Sequence, residues 1–157
     1  MSAAKIEREK IYAALFEKLK MAGEITAVNT ISRKFRHFVD VPSGEQPALF
    51  QLQVAETYRR RRGLPPVITL EVHWYLYIDT SEDSNASPAI LINPIVDAME
   101  QAIEPDYCTS DVQTLGGLVS HAWIEGTEKI YEGNLGNQAI VQMIINILIS
   151  GSTTWEE

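Results

Sequence analysis

A chain of 157 residues, 45% hydrophobic and 22% charged, has the make-up of one compact globular domain. That composition excludes intrinsic disorder, collagen-like repeats and low-complexity polymers, and a chain of this length buries roughly 68–70% of its unfolded surface without a covalent or metal staple. The net charge of −8 is unevenly spread: residues 1–62 hold 12 of the 13 basic side chains and 7 of the 21 acidic ones, net +5, while residues 63–157 hold Lys129 against 14 carboxylates, net −13. Such a split points to surfaces of opposite sign meeting different partners, unless the two halves interleave in space and the charge averages out.

One cysteine, Cys108, excludes an internal disulfide and a cysteine-based zinc site built from this chain alone. No run of eighteen apolar residues is present to span a bilayer, and the start MSAAKIEREK lacks the apolar centre of a signal peptide. The expectation is a soluble, acidic domain of a reducing, cytosolic compartment.

Residues 5–21 read as an amphipathic helix, with Ile11, Leu15 and Leu19 at four-residue spacing, Tyr12 and Phe16 widening the stripe, and Gly23 as its stop. Two strands are expected next, Ile31–Val41 around Phe35, and Leu49–Ala55 with Phe50, Leu52 and Val54 on one face and Gln51 and Gln53 on the other; Pro42–Pro47 is the turn between them. Residues 56–66, ETYRRRRGLPP, read as a loop held out of the sheet by Gly63, Pro65 and Pro66.

Val67–Asp79 is the clearest element. Ile68, Leu70, Val72, Trp74, Leu76 and Ile78 share one face of a strand, and Thr69, Glu71, His73, Tyr75 and Tyr77 the other. After the acidic stretch TSEDSNAS, Asn93-Pro94 suits a helix N-cap and first turn, with Ile92, Ile95, Val96, Met99 and Ile103 inward and an end before Pro105. Leu118–Glu125 and Gln138–Ile149 read as two further strands joined by a long connection containing Gly126, Gly133 and Gly136; the odd positions 139–149 are apolar throughout. The expected fold is a single α+β domain over residues 1–150, a mostly antiparallel sheet of four to five strands against two main helices. Residues 151–157 read as a loose tail, with Trp155 as its one group able to dock.

The familiar catalytic patterns do not occur. There is no phosphate-cradling G-x-x-x-x-G-K-[ST] or G-x-G-x-x-G and no G-x-S-x-G elbow. His37, His73 and His121 lack metal-ligand spacing; His73 and His121, both on expected strands, read as polar sheet-face residues that meet across the sheet only if the strands align. Asp79, Ser81, Asp83 and Asn85 match the early positions of a calcium loop, but Ser84 replaces the required glycine and Ile90 the bidentate glutamate. Cys108 lies among carboxylates that raise a thiol pKa, Asp97 and Glu100 lie on a solvated helix face, and Lys129 has no acid two residues before it. No catalytic residue, metal or cofactor is expected.

Arg59, Arg60, Arg61 and Arg62 are the one motif with plain physical content. Four consecutive guanidiniums repel one another and need water or an anionic partner. Three readings stand: a solvated loop tip, a contact to nucleic-acid phosphates with Tyr58 placed to stack on a base, or a salt-bridging contact to an acidic protein surface. The aromatic residues Tyr75, Tyr77 and Trp123, on the outer faces of their strands, are candidates for a subunit interface, where tyrosine and tryptophan are enriched.

The charged N-terminal helix, the Pro47-Ala48-Leu49-Phe50 segment, the strand ITLEVHWYLYI, the Asn93-Pro94-Ile95 helix and Thr114-Leu115-Gly116-Gly117 leading into a strand together resemble, over residues 6–150, tail terminator proteins of long-tailed bacteriophages. What the resemblance implies is an α+β virion protein without catalytic residues. It would assemble into a homohexameric ring, cap the tail tube protein, and join the tail to the head–tail connector, with DNA passing through the ring. Its place would be the virion tail, and the host cytoplasm during assembly. The other class of function left open is a small nucleic-acid-binding module using Arg59–Arg62.

Overall fold

A computed structural model describes residues 6–80, 87–105, 110–125, 129–132 and 138–150. Helix α1, Arg8–Ile25, forms because Ile11, Tyr12, Leu15, Leu19 and Ala22 recur on one face and are all buried. It does not stop at Gly23. That glycine lies inside the helix, where a Cβ would stand 2.4 Å from the Ile31 side chain, so its bareness lets the helix close on the sheet. The Thr26 hydroxyl donates to the Ala22 carbonyl at 2.8 Å and finishes the last turn.

The expected strand over 31–41 shrinks to β1, Thr30–Ser32, followed by two 3₁₀ turns at Phe38–Asp40 and Ser43–Glu45. Strand β2, Ala48–Arg61, and strand β3, Leu64–Asp79, then form one long antiparallel hairpin. The loop expected at 56–66 is therefore strand on both sides of a two-residue turn, Arg62-Gly63, in which Gly63 takes φ +73°. Pro65 and Pro66 are tolerated because β3 gains its second neighbour only from Val67 onward, so at the prolines it is still an edge.

Helix α2 runs from Pro88 to Ile103, starting six residues before the expected Pro94. Pro94 lies in its interior but on the exposed side, as does Ile90, whose carbonyl loses an N–H partner to the proline and is left on the solvent side. The inward set is as expected: Ile92, Ile95, Val96, Met99 and Ile103 are buried. Strand β4 is limited to His121–Ile124; β5, Lys129–Glu132, falls inside the expected connection, whose Gly126, Gly133 and Gly136 lie outside the described residues; β6 is Gln138–Ser150. Cys108, the acidic residues 81–86 and Trp155 also lie outside them.

The six strands make one sheet in the order β1-β2-β3-β6-β4, with β5 also on β6; β1–β2 is parallel and every other pair antiparallel. The fold is α+β. Even positions 68–78 of β3 and odd positions 139–147 of β6 face α1 and α2 in a single core with Leu49 and Ala122. On the opposite face Phe50 and Tyr77 pack with Val41 and Ala48 under Phe35 and Phe38. The β2 faces divide accordingly. Phe50 points outward to this second cluster, and Gln51, only 2% exposed, points under the helices, where its amide donates to the Tyr12 carbonyl at 3.0 Å and accepts from Trp74 Nε1 at 3.1 Å.

Replacing Val72 or Ile145 with Asp places an unpaired carboxylate in a fully buried site at a cost of about 3–5 kcal/mol or more, a large share of the ~5–15 kcal/mol that holds a domain together. Expression of either variant should give insoluble or unfolded chain by far-UV circular dichroism; a soluble variant with the wild-type melting temperature would contradict the assigned faces.

Candidate functional site: the arginine hairpin and the outer sheet face

Arg59, Arg60 and Arg62 are exposed at the tip of the β2–β3 hairpin, and the Arg61 backbone pairs with Leu64. Two irregularities shape this end of β2. The first, between Gln53 and Ala55, leaves Val54 unpaired and 43% exposed; it turns Glu56 and Tyr58 to the helix side and Ala55, Thr57 and Arg59 to the outer side. The second, between Arg59 and Arg61, stands opposite the two prolines.

The turned-in residues meet the start of α1 in a cluster that the sequence reading missed. Arg8 Nε donates to both Glu56 oxygens at 2.9 and 3.0 Å, and its Nη2 donates to the Tyr58 hydroxyl. The Tyr12 hydroxyl donates to Glu56 Oε1 at 3.0 Å. Burial, then the hydrogen bond to the Glu56 carboxylate, pushes the Tyr12 hydroxyl pKa well up, and the Glu56 bond holds Arg8 more firmly protonated. Glu56 is thus committed to Arg8, and Arg59, Arg60 and Arg62 have no ion-pair partner among the described residues. Tyr58, 48% exposed, has its hydroxyl tied to this cluster. A four-residue contact at separations of 44 to 50 residues leaves no local pattern in the sequence that would reveal it.

The three aromatic candidates divide. Tyr77 is 2% exposed, with its ring 5.9 Å from Phe38 and 5.3 Å from Phe50 and its hydroxyl donating to the Arg36 carbonyl at 3.0 Å. The chain's own 35–41 segment covers it, so it offers no surface. Tyr75 is half-buried, 5.0 Å from the Phe35 ring, and accepts from Gln142 Nε2 at 3.1 Å. Trp123 is half-buried, stacked on His121 at 5.2 Å and 21°, with Nε1 donating to Glu125. Tyr75 and Trp123 keep part of their rings at the outer surface.

His73 and His121 do not meet. They pair with Ile144 and Leu148, on opposite sides of β6 and four positions apart. His73 Nδ1 accepts from Gln142 Nε2 at 2.9 Å, which leaves its Nε2 hydrogen for Glu71 at 2.9 Å; His121 Nδ1 accepts from the Gln113 amide at 3.0 Å. Both rings serve the sheet. Among the described residues no group of three His, Cys, Asp or Glu side chains is placed to hold a metal ion. The groove between α1 and α2, about 230 Å³, is lined mainly by Met21, Ala22, Ile25, Ala98 and Ala102, with Lys18 and Glu104 beside them. It gathers no convergent set of reactive groups.

By sequence, the chain matches no protein-family model and no curated protein. Its fold has a counterpart in a virion. A chain from the virion of a native gene transfer agent particle superposes with a TM-score of 0.52 at 10% identity, over 88% of this chain and 92% of that one. At that identity the likeness is one of fold, and it takes in nearly the whole of both chains.

Burial, then the neighbouring Tyr75, lifts the Tyr77 pKa from 10.0 to about 12. A tyrosine held neutral by the folded state stabilises it fully below pH ~10 and ceases to do so as pH rises through ~12. The Tyr77→Phe variant should lose about 1 kcal/mol at neutral pH with the hydrogen bond to the Arg36 carbonyl. Its melting temperature should then fall less steeply than wild type between pH 10 and 12, with Tyr12 contributing the remaining slope; identical slopes would contradict the assignment.

Proposed function

We propose that this chain is a non-enzymatic structural protein of a phage or phage-like virion, and within that class a tail terminator. In this reading it forms a hexameric ring that caps the tail tube protein and joins the tail to the head–tail connector, with DNA passing through the ring. Its setting is the virion, and the host cytoplasm during assembly. The observation that carries the reading is the near end-to-end likeness of fold to a virion chain. The order of elements that resembles tail terminators supports the finer assignment, and so does the split of charge between residues 1–62 and 63–157, which suits a part stacked between two different partners.

A second reading has one specific observation in its favour: Arg59, Arg60 and Arg62 are exposed at a projecting hairpin tip with no ion-pair partner among the described residues. If these residues and Arg61 bind nucleic acid in their own right, four phosphate contacts give a log–log salt slope of about −3.6. In a ring subunit the tip touches a neighbouring subunit, a docking partner or threaded DNA, and the net charge of −8 keeps free duplex binding weak.

Light scattering of the purified chain, paired with duplex titration at two salt concentrations, separates the two. The ring reading predicts an oligomeric mass and weak duplex binding. It also predicts that the quadruple variant with Arg59, Arg60, Arg61 and Arg62 each changed to Ser melts as a normal monomer but fails in assembly or tail joining. Tight, steeply salt-dependent duplex binding by a wild-type monomer would overturn the ring reading in favour of the nucleic-acid module.

A further inference from the structure

The hairpin tip and the outer face of the sheet are each left incomplete, and in opposite ways. At the tip, Arg59, Arg60 and Arg62 are exposed and have no ion-pair partner among the described residues. The one carboxylate of β2, Glu56, is taken by Arg8. Leu64, beyond the turn, is 57% exposed, so the tip offers apolar surface as well as charge. A guanidinium carries five N–H donors and no acceptor, and it stays charged at every working pH. The tip therefore asks for acceptors, negative charge and an aromatic or apolar surface to lie on.

The outer face holds that set. Strand pairing puts Glu71 of β3, Asn146 of β6 and Trp123 of β4 in one row, and Glu125 follows in the next, where its amide bonds the Ile144 carbonyl. This row lies outside the cluster that the 35–41 segment covers. The Glu71 side chain is 39% exposed and Glu125 is exposed, and neither has a Lys or Arg partner among the described residues. Glu71 is bonded by His73 Nε2 at 2.9 Å and Glu125 by Trp123 Nε1, which leaves each carboxylate with acceptor sites to spare. Between them the Asn146 side-chain oxygen is buried with no hydrogen-bond partner among the described residues, so the chain does not close this face by itself. The half-buried Trp123 adds an indole, the aromatic ring that attracts a guanidinium most strongly.

We infer that the arginine tip of one subunit lies on the outer sheet face of the next, its guanidiniums meeting the Glu71 and Glu125 carboxylates and the Trp123 ring. The inference rests on the ring reading and names the contact that builds the ring. A subunit's own tip runs away from its own face. Arg59 stands opposite Val67, four positions or about 13 Å from Glu71 along β3, and Arg60 and Arg62 lie farther out. The contact therefore passes to another copy. It joins two different surfaces of each subunit, which is the heterologous kind of contact that closes into a ring when the rotation between copies divides a full turn. Two tips, each carrying four arginines, repel one another, so a symmetric tip-to-tip pair does not compete.

Charge reversal tests the contact, with mass followed by light scattering and fold by far-UV circular dichroism. Changing Arg59, Arg60 and Arg62 each to Glu alters exposed side chains and should leave a folded chain whose self-association is at least tenfold weaker. Glu71→Arg combined with Glu125→Arg should have the same effect from the other side. Glu125→Arg alone, at an exposed position that does not touch His73, should also weaken association and guards against damage to the sheet. The decisive sample is an equimolar mixture of tip-reversed and face-reversed chains. Alternating around a six-membered ring, every tip then meets a face of opposite sign, so the mixture should recover the wild-type mass although neither chain does so alone. A tip-reversed chain that keeps the wild-type mass, or a mixture of folded chains that stays dissociated, would overturn the contact and leave the ring reading standing. A wild-type chain that stays monomeric at every concentration removes both.

Discussion

The structure depends on a mismatch of length between its sheet and its helices. Strand β3 has 16 residues and is ~53 Å long at ~3.3 Å per residue, while α1 has 18 residues and is ~27 Å long at 1.5 Å per residue. A helical layer of that size cannot cover the hairpin from end to end. The chain therefore places its apolar alternation where the helices reach and its guanidiniums where they do not, and Arg8 with Glu56, Tyr12 and Tyr58 pins the helix to the strand at that boundary. The overhanging tip follows from the same inequality.

The opposite face is solved differently. Phe35, Phe38 and Val41, on irregular chain and a short 3₁₀ turn, close over Phe50 and Tyr77 and leave the rest of that face to half-buried residues such as Tyr75 and Trp123. Buried polar groups hold these layers in register. Gln51 links α1, β2 and β3 through two hydrogen bonds, and the Tyr77 hydroxyl fastens the covering segment. Each such group would be costly to leave unpaired, so together they specify one packing.

How legible this was depended on how regular each element is. The faces of β3 and β6 could be read from the sequence because strict period-two alternation on a central strand has one way to bury its apolar side. The hairpin at 56–66 could not, since four arginines and two prolines are loop residues by composition and become strand residues only where an edge faces water. Residues 35–41 looked like a strand because Phe35 and Phe38 are apolar, but they act as a lid on the second cluster rather than as sheet. The start of α2 is not legible because Asn93-Pro94 has the composition of a first turn, while Pro94 at an exposed interior position costs the helix little more than one hydrogen bond. Of the candidate site, the arginine tip was visible as a charge run. That Glu71, Asn146 and Trp123 stand side by side was not, because pairing partners are set by topology and no single segment encodes them.

The central claim is that this chain is a ring-forming structural part of a virion. Cryo-electron microscopy of the purified full-length protein tests it most directly. The account predicts closed six-fold rings. A field of monomers at every concentration would contradict it.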